Sequence, residues 1–213
     1  MIPISLKLKR KAHKDIAYVQ DLVVETLYNH FQHAVIHGGT AIWRCYNGNR
    51  FSEDVDVYIE KDKDKIENFF KSLEKKGFQI IKKRIKANSL YSNLRFNGIA
   101  VQFEALFKKI KNFIIKEYEN SDGIFINVYT LASEDLINEK AETYLKRKKI
   151  RDLYDIFFLL NYVSDKEIVI LSLRKLIKNF SKPEDEENLK AIIIIGAIPS
   201  SKEIIDYITR WAK

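Results

Sequence analysis

Apolar side chains in the first part of the chain recur at the spacing of a helix, interrupted by one short apolar segment. Residues 14–30 place them three and four positions apart, which predicts an amphipathic helix with one buried stripe. Residues 34–36 form a short apolar segment that ends at Gly38-Gly39. Residues 40–46 again have a helical pattern, so the chain is predicted to pass from a short strand through two glycines into a second helix.

From residue 55 to residue 130 the pattern changes toward strands, with one helix among them. Residues 62–76 have apolar side chains at helical spacing, and the helix is predicted to stop at Gly77. Alternation of apolar and polar side chains then dominates, and Asn97-Gly98 is the strongest short signal for a hairpin turn. The pattern predicts four strands, at Val55–Ile59, Ser89–Phe96, Ile99–Phe107 and Ile124–Val128.

The chain from Ser133 onward has a helical pattern. Ser133 is predicted to be the N-cap of the first of these helices, because Glu134 and Asp135 follow in the first turn, where acidic side chains are favourable. A helix, a mixed α/β segment and an all-helical segment thus follow one another. We predict an α+β fold, with a mixed sheet and flanking helices in a domain of residues 1–130 and a helical domain of residues 131–213.

Composition excludes several classes of protein. The single cysteine, Cys45, excludes an intrachain disulfide and fits a cytoplasmic location. The longest purely apolar run, Ala191–Ile198, is far shorter than the about 20 residues that span a bilayer, and the basic segment Met1–Lys14 lacks the apolar stretch of a signal peptide. The 37 Lys and Arg against 29 Asp and Glu give a net charge of +8, which suits either a polyanionic partner or a lysine-rich soluble surface.

A glycine pair and two carboxylates form the first group of residues that points to chemistry. Gly38 and Gly39 lack a Cβ, so a phosphate can approach the backbone N–H groups at the start of the following helix. Asp54 and Asp56 are two positions apart on a predicted strand, so their side chains point to the same face. Two convergent carboxylates bind a hard divalent cation such as Mg²⁺ or Mn²⁺, which can support a nucleotidyl displacement.

A site of this kind with two metal ions calls for a third carboxylate on a neighbouring strand. In the second strand of the predicted hairpin the apolar side chains share one face, and Gln102 and Glu104 share the other. Glu104 is therefore the predicted third metal ligand, beside Asp54 and Asp56.

These residues resemble those of the DNA polymerase β-like nucleotidyltransferases, in which a hydrophobic-Gly-Gly turn and a helix precede Asp-x-Asp and a third acid on a later strand. Gly38–Ala41 and Arg50–Asp56 are similar to the Gly-Gly-Thr-Ala and Arg-x-Ser-x-Asp-x-Asp motifs of the AbiEii / MenT-type toxins. A second block, formed by Lys140-Ala141, Arg147 and Arg151–Asp155, is similar to that family's Lys, Arg and (Lys/Arg)-Asp-(hydrophobic)-x-Asp motif. The chain departs from the family in a longer interval between the glycines and the first Asp, and in having Glu as the third acid.

The resemblance implies roles for residues of both blocks. It makes Asp54, Lys140 and an Asp of the second block central, with Lys140 binding the nucleotide's phosphates as a point charge. Ser52 would position the triphosphate or accept a modification. The predicted catalytic residues are Asp54, Asp56, Lys140 and Asp155, and the predicted metal ligands are Asp54, Asp56 and Glu104. The predicted nucleotide-binding residues are Gly38, Gly39, Thr40, Arg50, Ser52, Arg147, Arg151 and Asp152.

Helical geometry suggests which acid of the second block joins Lys140. If residues 140–160 were one continuous helix, Lys140 and Asp155 would lie within about 80° of each other, on the side opposite the apolar stripe. Asp152 would lie near the boundary of that stripe and would be the structural partner. A break near Lys148-Lys149 would weaken this ranking.

Two other groups of residues have simpler explanations. His30, His33 and His37 would form a metal-binding face only if the first helix continued, whereas a strand is predicted to begin there. Lys146–Lys149 with Arg151 suits either a solvated helix face or a surface for RNA or triphosphate.

The leading hypothesis is a metal-dependent nucleotidyltransferase that acts as a toxin, transferring NMP from an NTP to an acceptor with pyrophosphate as leaving group. The resemblance implies a tRNA 3′ end as the RNA acceptor and a cognate antitoxin as a partner, and a protein or a small molecule stays open as acceptor. The alternatives are a non-catalytic RNA-binding protein that keeps the fold, and a protein that acts only through a partner.

Overall fold

The computed structural model describes residues 4–213, except for the side chain of Ser5. The chain forms two compact units. The first contains the residues up to Asn47 together with Phe51–Thr130, and the second contains Gly48–Arg50 together with Leu131–Lys213. The short segment Gly48–Arg50 thus belongs to the second unit, although the residues on both sides of it belong to the first.

The first unit combines helices with a seven-stranded sheet. Its described helices are α1 (Ile4–Lys7), α2 (Lys11–His30), α3 (Gly38–Cys45) and α4 (Lys63–Lys75). Its described strands are β1 (Val35–His37), β2 (Val55–Ile59), β3 (Gln79–Ile85), β4 (Ser89–Phe96), β5 (Ile99–Phe107), β6 (Ile114–Glu119) and β7 (Phe125–Thr130).

The sheet is mixed and has the strand order β3-β4-β5-β2-β1-β7-β6. β2 pairs with β5 and β1 with β7 in parallel, and the other neighbours are antiparallel. The predicted α+β fold with a mixed sheet is therefore confirmed. The predicted hairpin is also present, because Asn97 and Gly98 adopt φ values of 49° and 82°, as the turn of a two-residue hairpin requires.

One face of the sheet packs against helices and forms the core of the first unit. Val55 and Val57 on β2 and Phe103 on β5 are fully buried. The Phe103 ring centroid lies 5.0 Å from that of Phe69, which belongs to the buried stripe of α4. Since side chains alternate along a strand, the residues between these apolar positions point to the opposite face.

The sequence pattern does not single out β3 and β6, which are the two edges of the sheet. β3 carries Lys82, Lys83 and Arg84 and is exposed along most of its length. Charges on an edge strand protect the sheet against pairing with another chain. The same charges obscure the apolar alternation by which a strand is recognised.

The second unit is helical in the part of the chain that the structure describes. Its helices are α5 (Ser133–Arg147), α6 (Ile150–Leu159), α7 (Lys166–Lys178), α8 (Leu189–Ile192) and α9 (Ser201–Trp211), with single 3₁₀ turns at Leu160–Tyr162 and Glu186–Asn188. α5 packs against α6 and α7, and α9 packs against the same two helices. In neither unit does a described helix combine the length and the apolar character needed to cross a bilayer.

The start of α5 differs from its prediction. The N-cap is Ala132, and Ser133 is the first helical residue. The Ser133 hydroxyl instead donates to the carbonyl oxygen of Tyr162 at 2.9 Å. The side chain of Glu134 accepts the backbone N–H of Asp165 at 3.2 Å, so these residues tie α5 to the start of α7 instead of capping their own helix.

Residues 140–160 do not form one continuous helix, and the helix breaks at Lys148-Lys149, where a break would weaken the helical ranking of the acids. α5 ends at Arg147, and Lys148 adopts a left-handed conformation with φ 50° and ψ 40°. The backbone N–H of Lys148 donates to the Tyr144 carbonyl oxygen at 2.7 Å, which closes the last turn of the helix. α6 then starts at Ile150, after the extended residue Lys149.

Candidate active site

Strand β1 passes into helix α3 through a glycine turn. Gly38 has φ +68°, a left-handed conformation that glycine adopts without the strain that a side chain would bring. A Cβ at this position would overlap Oδ2 of Asp56, which lies opposite His37 in the pairing of β1 with β2. Glycine is therefore required at residue 38 both by the backbone conformation and by the close approach of the Asp56 carboxylate.

Strand register brings the predicted acids to one face of the sheet. Asp56 lies opposite Glu104 in the parallel pairing of β2 with β5, and laterally paired residues point to the same side. Asp54 comes immediately before β2, two positions from Asp56. Asp54 and Asp56 are partly buried, whereas Glu104 is exposed.

The donors on this face are of the type that a hard divalent cation prefers, since all are carboxylate oxygens. As the side chains stand, no three histidine, cysteine, aspartate or glutamate residues within residues 4–213 are grouped around a common metal position. Asp56 and Glu104 are neighbours across two strands, so their backbones are about 4.8 Å apart.

Two buried side chains hold the backbone that carries these acids. The hydroxyl of Thr40 on α3 donates to the carbonyl oxygen of Asp54. The side-chain amide of Gln20 on α2 donates to the carbonyl oxygens of Ser52 at 2.9 Å and of Asp54 at 3.2 Å. Thr40 was predicted to bind nucleotide, and the structure places it in the core with its hydroxyl committed to this segment. The sequence pattern does not identify Gln20 as a residue that supports the site. Its one distinguishing feature in the sequence is that it is polar and lies within the buried stripe of α2.

Gln20 belongs to a buried network around Arg44. The guanidinium of Arg44 donates to the carbonyl oxygens of Ala17 and Glu119, each at 3.0 Å. Its Nη2 atom lies 3.0 Å from Oδ1 of Asp21 and 3.5 Å from Oε1 of Gln20. A cation that is only 2% exposed is stable when it is paired and hydrogen-bonded, so the network fixes α2 against α3. These two helices in turn position the backbone of the acids.

A second group of charged residues lies within the second unit. Arg50 donates two hydrogen bonds to Asp155, from Nε to Oδ1 at 2.5 Å and from Nη2 to Oδ2 at 2.6 Å. Lys140 Nζ lies 2.8 Å from Oδ2 of Asp155 and 3.4 Å from Oδ1 of Asp152. Arg147 binds Asp152 through Nε at 2.7 Å and Nη2 at 2.8 Å. We call these five residues the charged network.

Both partners of the central pair are held in their charged forms. Burial by itself would raise the pKa of Asp155, but the neighbouring charges of Arg50 and Lys140 hold that pKa below its ordinary value. Burial would likewise lower the pKa of Arg50, and the Asp155 carboxylate keeps it raised. Asp155 is therefore an ionised acid enclosed by cations.

The sequence left open whether Asp152 or Asp155 joins Lys140 in an ion pair. Both do, with Asp155 at the shorter distance, while Asp152 is held mainly by Arg147. The pairing of Lys140 with Asp155 is present although the continuous helix is not, because α5 and α6 pack directly against each other. Arg151 is partly exposed and is not one of the network's residues.

Comparisons with known proteins agree with this architecture. The structure is similar to that of MenT4, a nucleotidyltransferase toxin from Mycobacterium tuberculosis H37Rv, with a TM-score of 0.65 and 17% identity over 97% of this chain and 90% of that chain. It is also similar to JHP933 from Helicobacter pylori, with a TM-score of 0.65 and 16% identity over 95% of this chain and 91% of that chain. At these identities the likeness shows the fold.

The sequence itself carries the family assignment. No curated protein matches it significantly. The profile of the family described as nucleotidyl transferase AbiEii toxin, type IV toxin–antitoxin system, matches residues 21–201. Because this match covers most of the chain, the protein belongs to the AbiEii family of nucleotidyl transferase toxins.

Proposed function

We propose that this toxin transfers a nucleoside monophosphate from an NTP to the 3′ end of an RNA, with tRNA as the first RNA to test. The observation that carries the proposal is the register that sets Asp56 beside Glu104 at the glycine turn. Membership of the family supports the reaction type, and the net charge of +8 supports a polyanionic acceptor. The type IV toxin–antitoxin description of the family supports a cognate antitoxin as partner.

The proposed reaction needs positioning and charge neutralisation, without a covalent enzyme intermediate. The acceptor hydroxyl oxygen attacks the α-phosphorus of the NTP and forms a new P–O bond. The bond from the α-phosphorus to the bridging oxygen breaks, its electron pair leaves with pyrophosphate, and the hydroxyl proton passes to water. The backbone N–H groups at Gly38 and Gly39 would bind the triphosphate at the start of α3.

A divalent metal is the proposed cofactor of the acid face. Asp54, Asp56 and Glu104 would hold Mg²⁺ or Mn²⁺, and the bound ion would supply the positive charge that offsets the triphosphate and the departing pyrophosphate. Without a cation, carboxylates on one face would repel a polyphosphate. The acids therefore support a metal-dependent reaction.

We assign two kinds of role to residues of the charged network and to the neighbouring Arg151. The side chain of Lys140 is 9% exposed and is held by two carboxylates, so we propose that Lys140, Asp152 and Asp155 keep the network together. The side chain of Arg147 is 40% exposed and Arg151 is partly exposed, so these arginines are the proposed contacts to nucleotide or RNA phosphates. The direct phosphate contact that the family resemblance implies for Lys140 stays a prediction.

The test of the proposed function is transfer of label from each NTP, radiolabelled at the α-phosphate, to total RNA. We expect label in a defined RNA fraction, an equal amount of released pyrophosphate, and loss of both on addition of a chelator. Added Mg²⁺ or Mn²⁺ should restore them. Absence of label from every fraction, together with absence of NTP binding by calorimetry, would contradict an enzyme and favour a non-catalytic RNA-binding protein.

Gly38→Ala is expected to lower transfer by roughly 100-fold, because a displacement of about 1 Å in a reacting group can cost that much. The added Cβ would overlap Oδ2 of Asp56, which lies at the end of a side chain and can rotate out of position. The loss of stability should be small, about 1 kcal/mol for the left-handed backbone.

Gly98→Ala is the matched control for this variant. Gly98 has φ +82°, and no described atom lies within 4 Å of the Cβ that alanine would add. It therefore brings the same kind of backbone strain without displacing an acid. The measurements are the transfer rates and the melting temperatures of both variants. An equal loss of transfer in the two would refute the proposal that the position of the Asp56 carboxylate controls the reaction.

A further inference from the structure

A single row of side chains crosses the sheet of the first unit from the acids to the outer edge. Asp56 on β2 is paired with Glu104 on β5, Glu104 with Tyr91 on β4, and Tyr91 with Arg84 on β3. Because laterally paired residues point to the same side, these four side chains lie on one face. At about 4.8 Å between strands, the row is about 14 Å long at the level of the backbone.

The edge strand adds a line of cations on this face. Lys82, Arg84 and Lys86 occupy alternate positions, all are exposed, and Lys86 continues the pairing through its N–H bond to the Ser89 carbonyl oxygen at 2.8 Å. Lys82 Nζ lies 5.4 Å from the centroid of the Tyr91 ring, so the cations flank an aromatic side chain.

Lys83 shows that the two faces of β3 are used differently. Its ammonium binds Glu67 on α4 at 3.0 Å and lies 4.7 Å from the centroid of Phe70, so it serves the packed side of the sheet. On the other side, no described carboxylate forms an ion pair with Lys82, Arg84 or Lys86. Edge-strand lysines that only prevent aggregation do not need an aromatic neighbour or a register with the acids.

We propose that the 3′ segment of a single-stranded RNA lies across this face, which we call the sheet path. Its bases stack on Tyr91, and its phosphates contact Lys82, Arg84 and Lys86. The path ends where Asp56 and Glu104 meet, which is where an acceptor hydroxyl must arrive, and in this respect the inference rests on the proposed function. A sheet face with an aromatic side chain flanked by cations is suited to unstacked bases, since paired bases offer no free ring face.

The first test measures binding of a short fluorescein-labelled single-stranded RNA by anisotropy over a range of salt concentrations. The triple variant K82A/R84A/K86A should bind about tenfold more weakly or worse, and its salt dependence should fall by about two in log–log slope, since three phosphate contacts are lost. The matched control K63A/K71A/K75A removes three exposed charges from α4. Equal weakening in the two triple variants, or none in the first, would overturn the sheet path.

The second test concerns the aromatic platform. Tyr91→Ala should weaken RNA binding by about tenfold, whereas Tyr91→Phe keeps a stacking ring and should bind within about twofold of the unchanged protein. Melting temperatures establish that both variants are folded. If Tyr91→Phe lost as much affinity as Tyr91→Ala, stacking would be refuted.

Transfer to the same RNA separates this inference from the proposed function. With the variant K82A/R84A/K86A, the RNA concentration for half-maximal labelling should rise about tenfold, in step with binding. If the unchanged protein binds RNA through the sheet path and no NTP labels it, the proposed function fails and the surface stands. If label enters RNA equally with the unchanged protein and the triple variant, the surface assignment fails and the activity stands.

Discussion

Asp54→Ala is expected to reduce the proposed nucleotidyl transfer by about 1000-fold or more, since it removes one of the acids proposed to hold the metal ion that neutralises the triphosphate. The protein should remain folded, because the bonds from Thr40 and Gln20 to this segment end on its carbonyl oxygens. Asp54→Asn should lose nearly as much activity, because it keeps the size of the side chain and removes the charge. Transfer of labelled NMP under saturating NTP is the measurement.

Glu53→Ala is the matched control for the acid variants. Glu53 is the neighbouring carboxylate and is exposed, so its loss removes the same charge from the same segment. Its transfer rate should stay within about twofold of the unchanged protein, as is usual for exposed side chains away from a reacting centre. Full activity in Asp54→Ala, with a normal melting temperature, would remove Asp54 from the site and with it the proposed mode of metal binding.

Asp155→Ala is expected to lower the free energy of unfolding by about 3–5 kcal/mol, the usual result of removing one partner from a buried ion pair. Arg50 is 4% exposed and its side chain binds Asp155 through two bonds, so the variant leaves a buried cation without its carboxylate. Lys140 loses its nearer acid as well. The measurement is the free energy of unfolding from urea titrations of both proteins, with equal m-values as the condition for comparing them.

Two further variants separate charge pairing from general sensitivity. Asp206→Ala removes an exposed acid from α9 and should change stability by less than about 0.5 kcal/mol. The double variant R50M/D155L removes Arg50 together with Asp155 and leaves Lys140 with Asp152, so it should recover part of the loss, since an apolar pair of similar volume avoids the cost of burying the Arg50 charge. A loss below about 1 kcal/mol in Asp155→Ala would show that the pair contributes little.

The pH dependence of this effect follows from the direction of the pKa shift. The pKa of Asp155 is lower in the folded protein than in the unfolded chain, where it is about 3.9, so ionised Asp155 stabilises the folded state above that pH. This contribution is lost as the pH falls through the folded-state pKa. The difference in unfolding free energy between the unchanged protein and Asp155→Asn should therefore shrink in acid, and a difference that grows would contradict the assignment.

Local pattern was sufficient for the elements that bear the acids. Alternation and spacing predict β2, β4 and β5 with their observed bounds, because each strand has one buried face and the turn at Asn97-Gly98 is encoded by its own two residues. The same alternation places Asp56 and Glu104 away from the core. The motifs of the two blocks resemble those of the AbiEii / MenT-type toxins, and the family match confirms this assignment.

The local sequence pattern does not predict features that depend on contacts with distant segments of the chain. The edge strand β3 is charged, so it lacks an apolar alternation. Gln20 and Arg44 are polar residues on helices whose roles depend on what those helices pack against. The break at Lys148 depends on a left-handed residue for which the local residues give no clear signal.

The amino-acid sequence by itself therefore determined which residues are candidates to bind phosphate or metal, since that property depends on side-chain type and on spacing within one helix or strand. Only the tertiary structure decided which of them meet. It set Asp56 beside Glu104, committed Thr40 to the backbone of Asp54, and enclosed Asp155 between Arg50 and Lys140. The physical reason is that strand register and the pairing of buried charges are fixed by the packing of segments far apart in the chain, and no local pattern contains that information.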